Sequence, residues 1–179
     1  HVRSTFSNKS GTKIVSDEDI NHEKAVTGIA YSKNNAKVSI VGVIDKPGVA
    51  ADIFEPIGKN NINIDMVIQN TSLDGKMANI TFTIKQEDLK NALDIIEKNK
   101  EKINYKEITH NEKLAKVSIV GAGMITSPGV THKMFRSLAD KEINILAIST
   151  SEIKISVLVQ EDLAQKAVKV LHETFKLNQ

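Results

Sequence analysis

The sequence predicts an α+β protein made of two ferredoxin-like βαββαβ units, the first inserted within the second. Three observations carry that reading: an internal repeat, a change of hydrophobic period inside each copy, and one apolar segment left over upstream of the first copy. The repeat reads VSIVG at residues 38–42 and again at 117–121. Each copy continues with Pro-Gly (Pro47-Gly48, Pro128-Gly129) and then Ile-Asn-Ile (62–64, 143–145). Val38 and Val117 stand 79 residues apart, and Pro47 and Pro128 stand 81, so the second copy holds two extra residues in its first loop.

Each element follows from the local pattern. In the first copy, residues 37–43 form a β-branched run and read as a strand. A helix follows Pro47, with Val49, Ile53, Phe54 and Ile57 on one face; Pro56 inside it removes one backbone hydrogen bond and is expected to bend it. Residues 64–69 and 77–84 read as strands joined by a hairpin at Leu73-Asp74-Gly75-Lys76, where Asp-Gly suits positive φ. A helix over 86–99 turns Leu89, Leu93 and Ile96 inward, and 104–109 closes the unit as a fourth strand. The second copy gives a strand at 116–121, a helix at 130–140 with Val130, Met134, Phe135 and Leu138 inward, strands at 144–150 and 153–159, and a helix at 161–175. It then runs out of chain at Gln179. A unit of this kind needs a fourth strand beside its first, or an edge stays unpaired. The only unassigned strand-like segment is 25–31, which is therefore expected to cross over and complete the second unit.

Composition narrows the function. Lys and Arg number 24 against 22 Asp and Glu, a formal net charge of +2, which gives no strong field for nucleic acid or an anionic membrane. With no cysteine among 179 residues, disulfide frameworks, thiol nucleophiles and Cys-based zinc sites are excluded. No apolar run approaches the ~20 residues of a membrane span, and the first residues lack the apolar core of a signal peptide, so a cytoplasmic protein is expected. The polar stretch 1–24 reads as a linker, and the His1 start suggests a piece of something longer. No P-loop, kinase Gly-rich loop, G-x-S-x-G or HExxH occurs, and the five histidines show no metal-ligand spacing. RNA-binding sheets of this topology carry aromatics on their central strands, where this one has Val, Ile and Ser.

The stretches AVTGIAYSKNNAKVSIVGVIDKPG, INIDMVIQN, KVSIVGAGMITSPGV and ISTSEIKISVLV resemble the tandem ACT domains of aspartokinases, and HVRSTFS is similar to the end of the aspartokinase catalytic domain. The resemblance covers essentially the whole chain. It implies a first ACT domain at 36–110, a second at 25–32 plus 114–175, and at 1–24 the end of a missing kinase domain. It further implies a regulatory region of the enzyme that phosphorylates L-aspartate with ATP, the first step towards lysine, threonine and methionine. The expected partners are L-threonine and/or L-lysine as feedback effectors, a second copy of the chain in a homodimer, and the aspartokinase catalytic domain or subunit. No cofactor is expected in this chain, ATP and Mg belonging by resemblance to the kinase domain; nor is catalysis by this chain alone.

For a free amino acid, exposed backbone amides suit the carboxylate and a nearby acid suits the ammonium. The segment Asp45-Lys46-Pro47-Gly48 before the first helix offers both, although the same residues also make an ordinary turn and helix start. The resemblance makes this loop an effector contact. Its threonine-type set is Asp45, Lys46, Pro47, Gly48, Val49, Ala50, Asn63, Ile64, Asp65 and Gln69, with Asn144, Ile145, Ser151 and Glu152 from the second unit; Asp65 and Gln69 are expected on one strand face. The resemblance also implies a lysine-type site near Met124, Thr131 and Glu152, where a carboxylate could meet the ε-ammonium. The second turn, Thr126-Ser127-Pro128-Gly129, has no acid aligned to Asp45. The alternative function is an ACT-type dimerisation or assembly module that binds no effector.

Overall fold

The computed structural model describes residues 2–6, 11 and 24–177; most of the linker expected at 1–24 lies outside the described residues. In the first repeat, β1 (Gly28–Ile44) leads through a Pro-Gly turn into α1 (Val49–Lys59), β2 (Val67–Thr71), β3 (Met77–Lys85), α2 (Leu89–Lys98) and the single turn α3 (Lys100–Ile103). β4 (Glu107–Val120) passes into the second repeat, which continues with α4 (Val130–Ala139), β5 (Ala147–Thr150), β6 (Lys154–Gln160) and α5 (Ala164–Thr174). The six strands form one sheet in the order β2-β3-β1-β4-β6-β5, with every neighbouring pair antiparallel. No described helix is long and apolar enough to cross a membrane.

The apolar pattern explains the packing. Val49, Ile53 and Ile57 form the buried stripe of α1, and α2 buries Leu89, Ala92, Ile95 and Ile96. Together with Val38, Ile40, Ile80 and Phe82 they make the first core, where Phe54 meets Phe82 edge-on with ring centroids 5.4 Å apart. α4 and α5 build a second core on Val117, Ile119, Val157 and Val159 with Met134, Leu138 and Leu171. α1 runs through Pro56 to Lys59, and the Asn60 side-chain amide donates to the Pro56 carbonyl at 2.9 Å.

Gly28 to Ser32 pair with Val120 to Lys116, so the upstream segment supplies the fourth strand of the second unit. The separate strands expected at 25–31 and 37–43 are one 17-residue strand, and those at 104–109 and 116–121 are likewise joined in β4. Both long strands cross the polar stretches between their halves by bulges. Asn34 and Lys113 take left-handed φ of 57° and 54°; the Asn34 N–H donates to Glu161 Oε2 (2.8 Å) and the Lys113 N–H to Gln86 Oε1 (3.1 Å). The bulges are counterparts in the repeat, each held by the side chain that opens the helix after β6 or β3.

β2 begins later than expected. The Asp65 N–H donates to the Thr83 carbonyl and the Thr83 N–H to the Met66 carbonyl, while the Met66 N–H turns to the buried Thr83 hydroxyl at 3.0 Å. Residues 65 and 66 thus both face Thr83, and Asp65 and Gln69 are not on one continuous strand. The bulge aims Met66 at Leu114 and Leu158 of the second repeat, a third small core between the repeats.

Candidate functional site

The glycine of each Pro-Gly turn has the same left-handed conformation in both repeats. Pro47 fixes φ for a type II turn, Gly48 occupies the left-handed region (φ 94°, ψ −12°), and the Val49 N–H closes the turn on the Lys46 carbonyl at 3.2 Å. Gly129 adopts φ 90°, ψ −5° before α4. No side chain caps either helix, so the first-turn amides remain available to an anion. The Asp45 N–H donates to the Lys76 carbonyl at 2.9 Å, fixing the half-buried acid beside the β2–β3 hairpin. Lys46, Pro47 and Gly48 are exposed, Val49 is buried in the first core and Ala50 is half-buried. The arrangement presents one carboxylate next to a helix start with unused donors, a match for a ligand that carries an ammonium and a carboxylate.

In the second repeat a cleft of about 440 Å³ lies between the turn before α4 and the β5–β6 hairpin; Met124, Thr131, Ser151 and Glu152 line it. These four come from three separate stretches of sequence, and the fold brings them together. Asn144 and Ile145 do not line that cleft: Asn144 is exposed, and Ile145 packs against the second core. Gln69 is exposed on edge strand β2, paired to Ile80.

Asn63, Ile64 and Asp65 line a different cleft, of about 330 Å³, between the repeats. Here the Asp65 carboxylate forms a salt bridge with Lys116, which stands before the second VSIVG as Lys37 stands before the first. Lys116 and Asn35, also on this cleft, are not among the residues the sequence pointed to. Lys116 stands at the start of the strand expected at 116–121, and Asn35 falls between the strands expected at 25–31 and 37–43. The strongest displacement of a titration among the described groups lies elsewhere: burial, then the hydrogen bond to Glu97, push the Tyr105 hydroxyl up to about 12, on the flank of the first core.

Comparison with known proteins is consistent along the chain. The sequence matches the ACT domain family over residues 38–99 and 117–175. It is 46% identical to the aspartokinase of Corynebacterium glutamicum over 98% of this chain and 42% of that protein, and 43% identical to the aspartokinase of Helicobacter pylori over 99% of this chain and 44% of that protein. The chain therefore spans less than half the length of these curated relatives. Among solved structures, it superimposes on a chain of the aspartokinase alpha and beta subunits with a TM-score of 0.78 at 43% identity, covering 85% of this chain and 99% of that one. The ligand-free regulatory subunit of aspartate kinase from Thermus thermophilus gives a TM-score of 0.77 at 36% identity, with the same coverage.

Proposed function

The chain belongs to the ACT domain family, as a regulatory region of the aspartokinase type, and from that premise we propose that it is an amino-acid sensor for feedback control of aspartate phosphorylation. The observation that carries the proposal is the pair of uncapped helix starts behind Pro-Gly turns, one of them beside Asp45. The amides of α1 receive an effector carboxylate and Asp45 its ammonium. In the second repeat Glu152, across the cleft from Thr131 and Met124, takes the second charge of a lysine side chain. The effectors are L-threonine and/or L-lysine. ATP and Mg act on the catalytic part of the enzyme, a domain or a separate subunit, and this chain carries no reaction of its own. An effector can shift that enzyme only through its difference in affinity between two arrangements of the assembly.

Edge strands β2 and β5 each pair on one side only. They present Val67 and Ile148, counterparts in the repeat, at 52% and 41% exposure. These edges favour a homodimer through the ACT units and support the second reading, an assembly module that binds no effector. Thermal unfolding with millimolar threonine, lysine and methionine, singly and in pairs, separates the two. A ligand that binds only the folded chain stabilises it by ~2.7 kcal/mol at a hundredfold excess over Kd. A selective rise with threonine or lysine that Asp45→Ala abolishes supports the sensor. No shift with any of the three leaves the assembly module.

A further inference from the structure

In the second repeat Ile29, Val117, Ile119 and Val157 pack into the core beneath α4 and α5, and because side chains alternate across a strand, Ala30, Lys116, Ser118 and Ser156 point to the opposite face of the sheet. On that face Ala30, Ser32, Lys116, Ser118, Val120 and Lys154 line a hollow of about 270 Å³, with no carboxylate among its described lining residues. The hollow holds donors that have no acceptor. Ser118 and Ser156 are 4% and 2% exposed, and their hydroxyls share one hydrogen bond of 2.8 Å. Two hydroxyls bring two protons and that bond uses one, so one proton is left without an acceptor among the described residues. With Ser156 donating, it is the proton of Ser118, the member of the pair that lines the hollow. Ser32 is in the same position: its hydroxyl oxygen accepts from Asn35 Nδ2 at 3.2 Å, and its own proton has no acceptor among the described residues. Lys116 gives one of its three ammonium protons to Asp65, and the exposed Lys154 is ion-paired with no carboxylate among the described residues. The first repeat has the same hydroxyl pair, Ser39 and Thr81 at 2.8 Å, without the second lysine. Asn79 stands where Lys154 stands, and its Oδ1 accepts the Gly42 N–H at 3.0 Å.

We propose that this hollow binds a phosphate-class oxyanion, free or carried on a larger molecule. Four donors line it, the Ser32 and Ser118 hydroxyls and the Lys116 and Lys154 ammonium groups, and no anionic group does, so a cation or the ammonium of an amino acid finds no counter-charge in the hollow itself. A phosphate group presents three or four oxygens to these donors, where a carboxylate has two. Binding fixes the direction of the serine pair: Ser156 donates to Ser118 and Ser118 to the anion, a chain in which every hydroxyl proton is used. Lys116 then stands between two anionic groups, Asp65 and the ligand, with protons enough for both. Lys154 supplies the charge that no other group offsets, which makes it the residue on which binding depends most. The proposal is independent of the sensor reading, since the hollow shares no residue with either Pro-Gly turn or with the effector contacts named for them.

Backbone amide NMR of the intact chain tests the site, titrated with sodium phosphate and, in a parallel arm, with ATP, against sodium chloride at equal ionic strength. Phosphate or ATP is expected to move the amides of Tyr31, Ser118 and Lys154 and to leave still those of Ser39 and Thr81, the counterpart pair. Lys154→Met, an exposed change, is expected to weaken the response at least about tenfold, the loss of one charge-assisted contact. Ser32→Ala, which leaves Asn35 Nδ2 its two carbonyl acceptors, is expected to weaken it several-fold. Asp45→Ala is expected to leave it unchanged. Tighter binding of ATP than of phosphate identifies the source as a nucleotide, and equal or weaker binding identifies it as the free anion. The proposal is overturned if neither phosphate nor ATP moves these amides more than chloride does, or if wild type and Lys154→Met respond alike.

Discussion

The two glycines that close the VSIVG repeats occupy equivalent positions for different reasons, and replacing each with alanine tests the crossover directly. Gly121 is extended (φ 169°), so alanine costs nothing in backbone conformation there. A Cβ on it, however, would sit 2.3 Å from the Ala25 carbonyl oxygen and 2.8 Å from the Val26 Cα, backbone atoms that cannot rotate away. Residues 25–27 must move instead. That strains the Thr27 N–H bond to the Val120 carbonyl (2.8 Å) and the burial of Val26, which is 3% exposed. Overpacking costs ~1–3 kcal/mol, and the hydrogen bond and part of the valine burial add to it, so Gly121→Ala is expected to destabilise by about 3 kcal/mol. Gly42 has φ 70°, where alanine costs ~1–2 kcal/mol; the atoms nearest its Cβ would be those of the Lys106 side chain, from Cδ at 2.7 Å to Cβ at 3.1 Å, most of which can rotate aside. Gly42→Ala is therefore expected to cost about 1–2 kcal/mol in total. Urea unfolding gives both values, and hydrogen exchange locates them: Gly121→Ala should lower protection of residues 28–32 selectively. If Gly121→Ala proves milder than Gly42→Ala, or leaves that protection intact, the upstream strand does not pass where the fold puts it.

Three further outcomes follow from local chemistry. Thr83→Val keeps the side-chain shape but removes the acceptor of the Met66 N–H, so urea unfolding should show a loss of ~1–3 kcal/mol, more than an exposed Thr→Val change such as Thr71→Val. The hydroxyl of Tyr105 is held protonated to about 12 by burial and by Glu97, whereas in the unfolded chain it ionises near 10.0; in that window the folded state binds more protons, so the melting temperature should fall as pH rises from 10 to 12, and Tyr105→Phe should flatten the fall. Glu161→Ala and Gln86→Ala remove the acceptors at the two bulges, and because a charged acceptor binds more strongly than a neutral amide, the Glu161 change should cost more in chemical denaturation; equal costs would mean the carboxylate's charge plays no part.

The fold was legible where it depends on local signals. VSIVG, Pro-Gly and Ile-Asn-Ile at near-constant spacing located the strands and helix starts, and the missing edge partner identified the crossing segment. What stayed hidden depends on partners far away in sequence. The stretch SKNNA falls between two separate expected strands because nothing local shows that Asn34 will turn left-handed and place its N–H on Glu161, 127 residues on. β2 starts at Val67 rather than Ile64 because a threonine hydroxyl on the next strand competes with the ladder for the Met66 N–H. At the candidate site, the Pro-Gly turns were legible because Pro and Gly carry their own conformational preference. The Asp65–Lys116 contact was not, since it joins residues 51 positions apart across a bulge that no periodicity shows.

The bulges also bear on how the repeats communicate. β1 and β4 each belong to both units, so no linker separates them, and a shift in one half of either strand is carried to the other through a continuous hydrogen-bonded ladder. A uniform ladder would make the two halves stiff and inseparable. The left-handed residues at Asn34 and Lys113 interrupt it at one place in each strand, and Glu161 and Gln86 accept the N–H groups that the interruption frees. Beside it lie Met66 on Leu114 and Leu158, and the salt bridge from Asp65 to Lys116. Side chains of both repeats therefore meet beside the break in the ladder.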